Sequence, residues 1–265
     1  MVRKFCCVSL LGALLLPQLP VSGQSIKEVQ SQSFDRAPDK SGTAKNTPDL
    51  ERVKEEIVSS TNQFRRQQGQ RELKVNQQLA KAAQYFADYM AQTDKYSHTA
   101  DGKEPWERAA KYDYAYCIVL ENIAYEYNPE GFRTNDLALA FMNGWKKSPL
   151  HRKNLLDPDI YDIGVGVAHS SRTGRYYAVQ NFGRPKSKEI VFKITNETDS
   201  PVKSTVDGKE SSIDPRYTIT YEQCRPPEVR IQLPTETTTL HPGNGGHYII
   251  RKDESGKFTV GASSP

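Results

Sequence analysis

Two histidines and one glutamate are the residues whose types and positions could carry chemistry. His98 and His151 each follow the end of a predicted helix, and Glu121 lies between them in the apolar run IVLENIA. A carboxylate in such a run is costly to bury without partners. Imidazole and carboxylate are groups that Zn²⁺ favours as ligands. Convergence of the three side chains would satisfy Glu121 and create a divalent-metal site.

The spacing leaves other interpretations open. No HExxH pair is present, and ordinary hydrogen-bonded histidines at helix ends would follow the same pattern. Ser148 could suggest Ser–His chemistry with His151, but it directly precedes a proline at a helix end, where serine is favoured for local backbone hydrogen bonds. No GxSxG elbow supports a hydrolase. Glu121 is the one candidate catalytic residue, and nothing in the spacing assigns it that role.

Amphipathic helices and a final hairpin are the elements that must position these side chains. Apolar residues three and four apart predict a helix capped at Thr47-Pro48, a second one capped at Asn76, and a third over roughly 135–147. After His151, the run DIGVGVAHSSRTGRYYAVQNFG predicts two strands joined by a turn. Helices followed by a hairpin indicate a mixed α/β layered domain over residues 47–184.

The composition changes after this domain. Short alternating runs such as IVFKIT, RYTITY and EVRIQL are separated by turn-rich pieces such as DGK and PGNGG. Regular short strands with turn signals are typical of a small all-β sandwich or barrel. We therefore predict a second, all-β domain over residues 188–261, and an α+β fold class for the chain.

The N-terminal residues predict export. Residues 1–23 place Arg3 and Lys4 before a short apolar run, as in a cleaved signal peptide, and that run is too short to be transmembrane. Residues 24–46 are polar and predict a disordered linker. Without the signal, 34 Lys and Arg face 32 Asp and Glu, which argues against nucleic acid as a partner. The predicted location is secreted, extracellular or periplasmic.

Four cysteines bound the disulfide pattern. Cys6 and Cys7 would leave with the signal peptide, so Cys117 and Cys224 remain. In an oxidising compartment these two could form one disulfide between the predicted domains. The alternative is two buried thiols, because a free cysteine packs as a small hydrophobic residue.

Six motifs in one order resemble the CAP superfamily of cysteine-rich secretory, antigen 5 and pathogenesis-related proteins. They are NQFRRQQGQRELKVNQQLAKAAQYFADYMA, YSHTADG, ENIA, WKKSPLHRKNLL, IGVGVA and YYAVQNFG. The resemblance covers about residues 48–184 and is nearest to the bacterial branch. It implies an α-β-α sandwich with a central cavity.

The resemblance also implies a set of cavity residues. Family members carry two histidines and usually two glutamates, and His98, Glu121 and His151 match three of these positions. Ser148 stands where the second glutamate would be. The implied metal ligands are therefore His98, Glu121 and His151, with zinc the expected cation. The missing carboxylate removes an obvious general base.

These observations favour a binding role over an enzymatic one. The expected function is an exported, non-catalytic module whose cavity holds a divalent metal and which binds a lipid, a sterol or another cell-envelope component. The alternative is a metal-dependent hydrolase that acts on peptides or cell-wall material through the same cavity. A third interpretation is a purely structural envelope protein. The sequence predicts neither the oligomeric state nor the role of the β domain.

Overall fold

The computed structural model describes residues 46–263. The predicted signal peptide and residues 24–45 of the predicted linker lie outside this range. Asn46, the last residue of that linker, is not disordered as predicted, because it forms a parallel bridge with Gly131. Its N–H donates to the Glu130 carbonyl at 3.2 Å, and its carbonyl accepts from the Phe132 N–H at 3.2 Å. No helix within 46–263 is both long enough and apolar enough to cross a bilayer.

The first part of the described chain is a four-stranded sheet between two layers of helices. In chain order its elements are α1 (Leu50–Gln67), β1 (Lys74–Val75), α2 (Gln77–Thr93), α3 (Pro105–Lys111), β2 (Tyr116–Glu126), α4 (Thr134–Lys147), α5 (Pro149–Leu156), β3 (Asp162–His169) and β4 (Tyr176–Pro185). The strand order is β1-β3-β4-β2. Strand β1 runs parallel to β3, and the other two pairings are antiparallel. Strand β2 is therefore an edge strand.

Helix α2 packs closely on one face of the sheet because β3 carries glycines there. A Cβ atom on Gly164 would lie 2.2 Å from the Ala80 nitrogen, and one on Gly166 would lie 2.3 Å from the Ala83 carbonyl carbon. Only glycine permits so close a backbone approach. The alternate residues of β3 pack instead into the core beneath α1 and α4, namely Ile163, Val165 and Val167. These two faces give the three layers that the sequence predicts.

Two helix starts differ from the sequence-based prediction. Helix α1 is capped by Asp49, not at Thr47-Pro48, since the Asp49 Oδ1 accepts hydrogen bonds from the backbone N–H groups of the first turn. Helix α4 ends at Lys147 as predicted, and Ser148 has an extended backbone. The short helix α5, which the sequence-based prediction lacks, begins directly afterwards with Pro149 at its first helical position, where the missing N–H of proline costs nothing. His151 therefore lies in the first turn of a short helix.

The second part of the described chain is a β-sandwich that follows a short 3-10 helix at Lys186–Lys188. Its strands are β5 (Ile190–Asn196), β6 (Val202–Val206), β7 (Lys209–Ile213), β8 (Thr218–Gln223), β9 (Val229–Gln232), β10 (Thr237–Leu240), β11 (His247–Lys252) and β12 (Phe258–Ala262). They form two four-stranded sheets, ordered β10-β9-β6-β7 and β12-β11-β5-β8. The sheets enclose one apolar cluster. The α+β class with an added β part is as predicted.

The sandwich is joined covalently to the layered domain. Cys117 at the start of β2 and Cys224 just after β8 form a disulfide with a Cα–Cα distance of 5.3 Å. This confirms the disulfide and excludes the alternative of two thiols. The next residue, Arg225, pairs with Asp157 at 2.8 Å and with Asp159 at 2.7 Å. Both carboxylates lie in the turn that follows α5.

Candidate functional site

The loop after α2 delivers His98 to the edge of the sheet. Helix α2 ends at Asp94, which has the left-handed φ of 51°. The Asp94 carboxylate then accepts hydrogen bonds from the Thr173 hydroxyl at 2.9 Å and the Tyr177 hydroxyl at 3.1 Å. These contacts fasten the base of the loop to β4. The His98 side chain, 49% exposed, reaches back to the sheet, where its Nδ1 lies 2.8 Å from Glu121 Oε1.

Glu121 lies in the middle of β2 and is buried, with a side-chain exposure of 1%. Its Oε1 contacts His98, and its Oε2 accepts a hydrogen bond from Arg108 Nη2 at 2.8 Å. An ionised carboxylate can only accept hydrogen bonds, so His98 Nδ1 is the donor in this pair. The Glu121 carboxylate thereby fixes the His98 ring and leaves its Nε2 available to a ligand or a metal.

Arg108 is the residue of this site that the sequence-based prediction missed. Its fully buried guanidinium links the loop to Glu121. It also donates to Asp101 Oδ1 and to the His98 carbonyl, each at 2.8 Å, and lies 3.6 Å above the Phe86 ring. A buried carboxylate requires a counter-ion. That requirement is the signal that could have identified Arg108.

Helix α5 brings His151 to the same edge from the opposite helical layer. The Asn154 amide donates to the Glu121 carbonyl at 3.2 Å and to Asn122 Oδ1 at 3.0 Å, and Asn122 Nδ2 donates to the His151 carbonyl at 3.3 Å. These contacts dock α5 onto β2. Burial, and then the proximity of the His98 imidazole, lower the pKa of His151 below its usual value of 6.5. A lowered pKa favours the neutral imidazole, the form that binds metals.

Ser148 takes part in the helix junction through its backbone. Its N–H donates to the Gly144 carbonyl and its carbonyl accepts from Arg152. Its hydroxyl makes no capping hydrogen bond to α5, although serine was expected to form a local backbone hydrogen bond there. Trp145, predicted to be a core residue, is 1% exposed and donates from Nε1 to the Ile123 carbonyl at 3.2 Å.

The chemistry of this donor set fits a metal held by imidazoles. His98 and Glu121 are in direct contact, and the α5 residue Asn154, one turn from His151, donates to the Glu121 carbonyl. Within residues 46–263, three such ligand atoms lie within 4.8 Å of one another only at Cys117, Glu189 and Cys224, and those cysteines are joined in a disulfide. The predicted set of three direct ligands is thus not gathered into one coordination sphere. Glu121 instead has the position of a carboxylate that orients a metal-binding histidine. Metal binding itself stays a prediction.

The fold and the site define an α-β-α domain with a paired His–Glu centre at its sheet edge. The model of the cysteine-rich secretory protein (CAP) family matches residues 58–182. This segment belongs to the CAP family, as the six motifs indicate.

Bacterial relatives match the same half of the chain. The uncharacterized protein YkwD of Bacillus subtilis (strain 168) is 27% identical over 134 residues, which are 50% of this chain and 49% of YkwD. An uncharacterized protein of Borreliella burgdorferi is 26% identical over 108 residues, which are 41% of this chain and 64% of that protein. The matched segments therefore span only part of these curated relatives.

Solved structures of CAP proteins are also similar to this chain. An outer surface protein from Borrelia burgdorferi has a TM-score of 0.46 and 22% identity over 52% of this chain and 96% of its own. An extracellular protein of Bacillus anthracis that contains an SCP domain has a TM-score of 0.43 and 27% identity, over 50% of this chain and 40% of its own. Because both TM-scores lie below 0.5, the family assignment comes from the sequence match.

Proposed function

We propose that this protein is an exported, non-catalytic binding module whose His98 and His151 hold a divalent cation, with zinc the first candidate. Glu121 and Arg108 then serve as positioning residues that fix the His98 ring. The observation that carries the proposal is that both oxygens of the Glu121 carboxylate already accept hydrogen bonds of 2.8 Å, one from His98 and one from Arg108. Glu121 therefore orients His98 and is not free to act as a base. The presence of outer surface and extracellular proteins among its relatives supports a ligand in the cell envelope, such as a lipid.

The same observation disfavours the hydrolase alternative. A general base must accept a proton from a water molecule within hydrogen-bonding reach. Glu121 could do so only by giving up its contact with His98 or its contact with Arg108. The second carboxylate that relatives of this family carry is replaced by Ser148, so no other acid is supplied from that position. A bound zinc ion would supply an open coordination position for an oxygen or nitrogen atom of a ligand.

Calorimetric titration with zinc tests the proposal. We expect the protein to bind one equivalent, and the His98→Ala, His151→Ala double variant to give no heat above that of dilution. Glu121→Gln keeps the shape of the side chain but weakens its hold on His98. We expect it to bind zinc about 10- to 100-fold more weakly, the usual loss when the hydrogen-bond partner of a metal-binding histidine is changed.

His241→Ala is the matched control, because this histidine is exposed in the β-sandwich and its loss should leave the zinc affinity unchanged. Equal heats from the double variant and the unmodified protein would remove the metal from the proposal. A panel of peptide, ester and glycan substrates tests the other half. Metal-dependent turnover that disappears in Glu121→Gln would overturn the non-catalytic role and establish the hydrolase.

A further inference from the structure

Helix α5, which carries His151, and the preceding helix α4 present a strongly basic surface with an exposed leucine. Residues 137–156 contain no Asp or Glu and four cations. Leu150, at the start of α5, is 77% exposed, although leucine is a residue that usually avoids water. We call this surface the basic patch and define it as Lys146, Lys147, Arg152 and Lys153 with Leu150.

The cations of the basic patch have no carboxylate partner in the described part of the chain. No ion pair among residues 46–263 joins any of the four to a carboxylate. Lys146 and Arg152 lie over the same Phe64 ring, at 5.0 Å and 4.8 Å from its centroid, so these two are neighbours in space. Lys153 is one turn from Leu150 on α5, which places them on one side of the helix. The four cations therefore lie on the two consecutive helices α4 and α5, and Leu150 is exposed at the start of the second.

A cleft beside α5 extends the basic patch. It has a volume of about 680 Å³ and lies between α5 and the β-sandwich residue Arg225. Pro149 and Leu156 give it apolar walls, and Arg152, Lys153 and the Asp157 carboxylate line it as well. Asp157 is paired with Arg225 at 2.8 Å, so the cations of the cleft that are left for an anion are those of Arg152 and Lys153. Together with the apolar walls they suit a ligand with an anionic head and an apolar tail.

We propose that the basic patch docks the protein onto an anionic phospholipid surface, with Leu150 inserted between the headgroups and a lipid phosphate at the mouth of the cleft. This inference rests on the proposed function and specifies its cell-envelope ligand as an anionic phospholipid. It requires no bound metal. Lysine and arginine near an anionic membrane surface attract it across about one Debye length. An exposed apolar side chain amid cations gains free energy by entering the interface. Because His151 is next to Leu150 in the chain, docking through Leu150 would bring the proposed metal site close to the lipid surface.

Vesicle sedimentation tests this proposal. The protein is recovered after export, so that all variants share one N-terminus. It is mixed with vesicles of phosphatidylcholine alone or with about 30% phosphatidylglycerol. We expect binding only to the vesicles with phosphatidylglycerol, and loss of that binding in about 0.5 M salt. Each cation near the surface contributes about a fivefold change in affinity. Lys147→Glu with Lys153→Glu should therefore weaken binding at least 25-fold, and Leu150→Asn about tenfold.

Matched variants separate the basic patch from net charge and from general hydrophobicity. Lys193→Glu with Lys203→Glu makes the same change of charge at exposed positions of the β-sandwich, and Val75→Gln removes another exposed apolar side chain. Both should bind within about twofold of the unmodified protein. His98→Ala with His151→Ala should also keep vesicle binding, so that failure of the metal site and failure of the basic patch are distinguishable.

Three outcomes would overturn the inference. One is equal binding to both kinds of vesicle. Another is an equal loss in the two lysine pairs. The third is tight binding of a soluble acidic polymer without binding to vesicles, which would identify a polyanion as the partner in place of a membrane.

Discussion

The CAP domain and the β-sandwich bury different chemistry. The CAP domain encloses ionised side chains together with uncharged polar ones, among them Arg65, Arg108, Glu121, Asp157 and Arg184. The sandwich encloses an apolar cluster of mostly valine and isoleucine. Its buried polar residues are Asn196, Thr198 and Ser204, none of which is charged.

This difference separates a domain built around a site from one built as a scaffold. Burying an ion pair often contributes no more stability than apolar residues of the same volume would. The CAP domain nevertheless holds Arg108 between two carboxylates at the place where His98 meets the sheet. The sandwich has a core of the kind that stabilises a fold through burial of apolar surface alone. We infer that function resides in the first and support in the second.

The largest test of this comparison is the substitution Arg108→Ala. It would leave Asp101 and Glu121 buried without their counter-ion, and we expect the free energy of unfolding to fall by about 3–5 kcal/mol. Urea unfolding measures the change. Arg133→Ala is the control, because Arg133 pairs with Asp136 at the surface and its loss should cost at most about 1 kcal/mol. Similar losses for the two variants would mean that Arg108 contributes no more than a surface ion pair, and the buried charges would then not be what sets the CAP domain apart from the sandwich.

Much of the layered fold can be predicted because it depends on local periodicity. Apolar spacing predicts α1, α2 and α4, and the Asn76 cap of α2 is where the sequence indicates it, accepting from the Leu79 N–H at 3.0 Å. Elements without a pattern were missed. Strand β1 has two residues, both exposed, and β7 and β10 are polar strands at the edges of their sheet. Such strands bury too few side chains to show alternation.

The site was predictable only in part. Glu121 and the two histidines attract attention by type and context, but the partner of the glutamate comes from α3, and only the tertiary fold brings the two together. Ser148-Pro149 shows a second limit. The pair does end α4, as predicted, but Pro149 is also the first residue of the helix α5. Proline suits both places, and the local sequence does not show that a new helix follows.

The disulfide gives the second test, because it is the covalent link between the two regions. Cys117 and Cys224 are 107 residues apart, so their bond restricts a long loop in the unfolded chain. Cys117→Ser with Cys224→Ser should lower the free energy of unfolding by about 2–4 kcal/mol. We also expect the single urea transition to separate into two if the regions hold independent cores. Reduction of the unmodified protein should reproduce both effects. A single transition of unchanged midpoint in the variant would mean that the two regions form one cooperative unit without the bond.

The ion pair between Arg225 and Asp157, beside the disulfide, has the smallest expected effect on stability. Its pH dependence tests whether charge also stabilises the junction between the CAP domain and the sandwich. Burial alone would raise the pKa of Asp157, but the hydrogen bonds from Arg225 and from the Asp159 N–H, with the charges of Arg225 and Arg65, more than offset it, so the pKa lies below its usual value of 3.8. The Arg225 side chain is 45% exposed, so we expect Arg225→Ala to cost about 1 kcal/mol at neutral pH.

A lowered carboxyl pKa means that the folded state binds fewer protons than the unfolded state. The stabilisation by this pair is therefore complete above the usual pKa of 3.8 and is lost as the pH falls through the lowered value. The unfolding free energies of Arg225→Ala and of the unmodified protein should differ at pH 7 and converge at about pH 2. Arg251→Ala, at an exposed pair within the sandwich, should show little difference at either pH. A difference in unfolding free energy that stays constant with pH would mean that the Arg225 side chain joins the two regions by packing and not by its charge. Charge would then stabilise the interior of the CAP domain but not its junction with the sandwich.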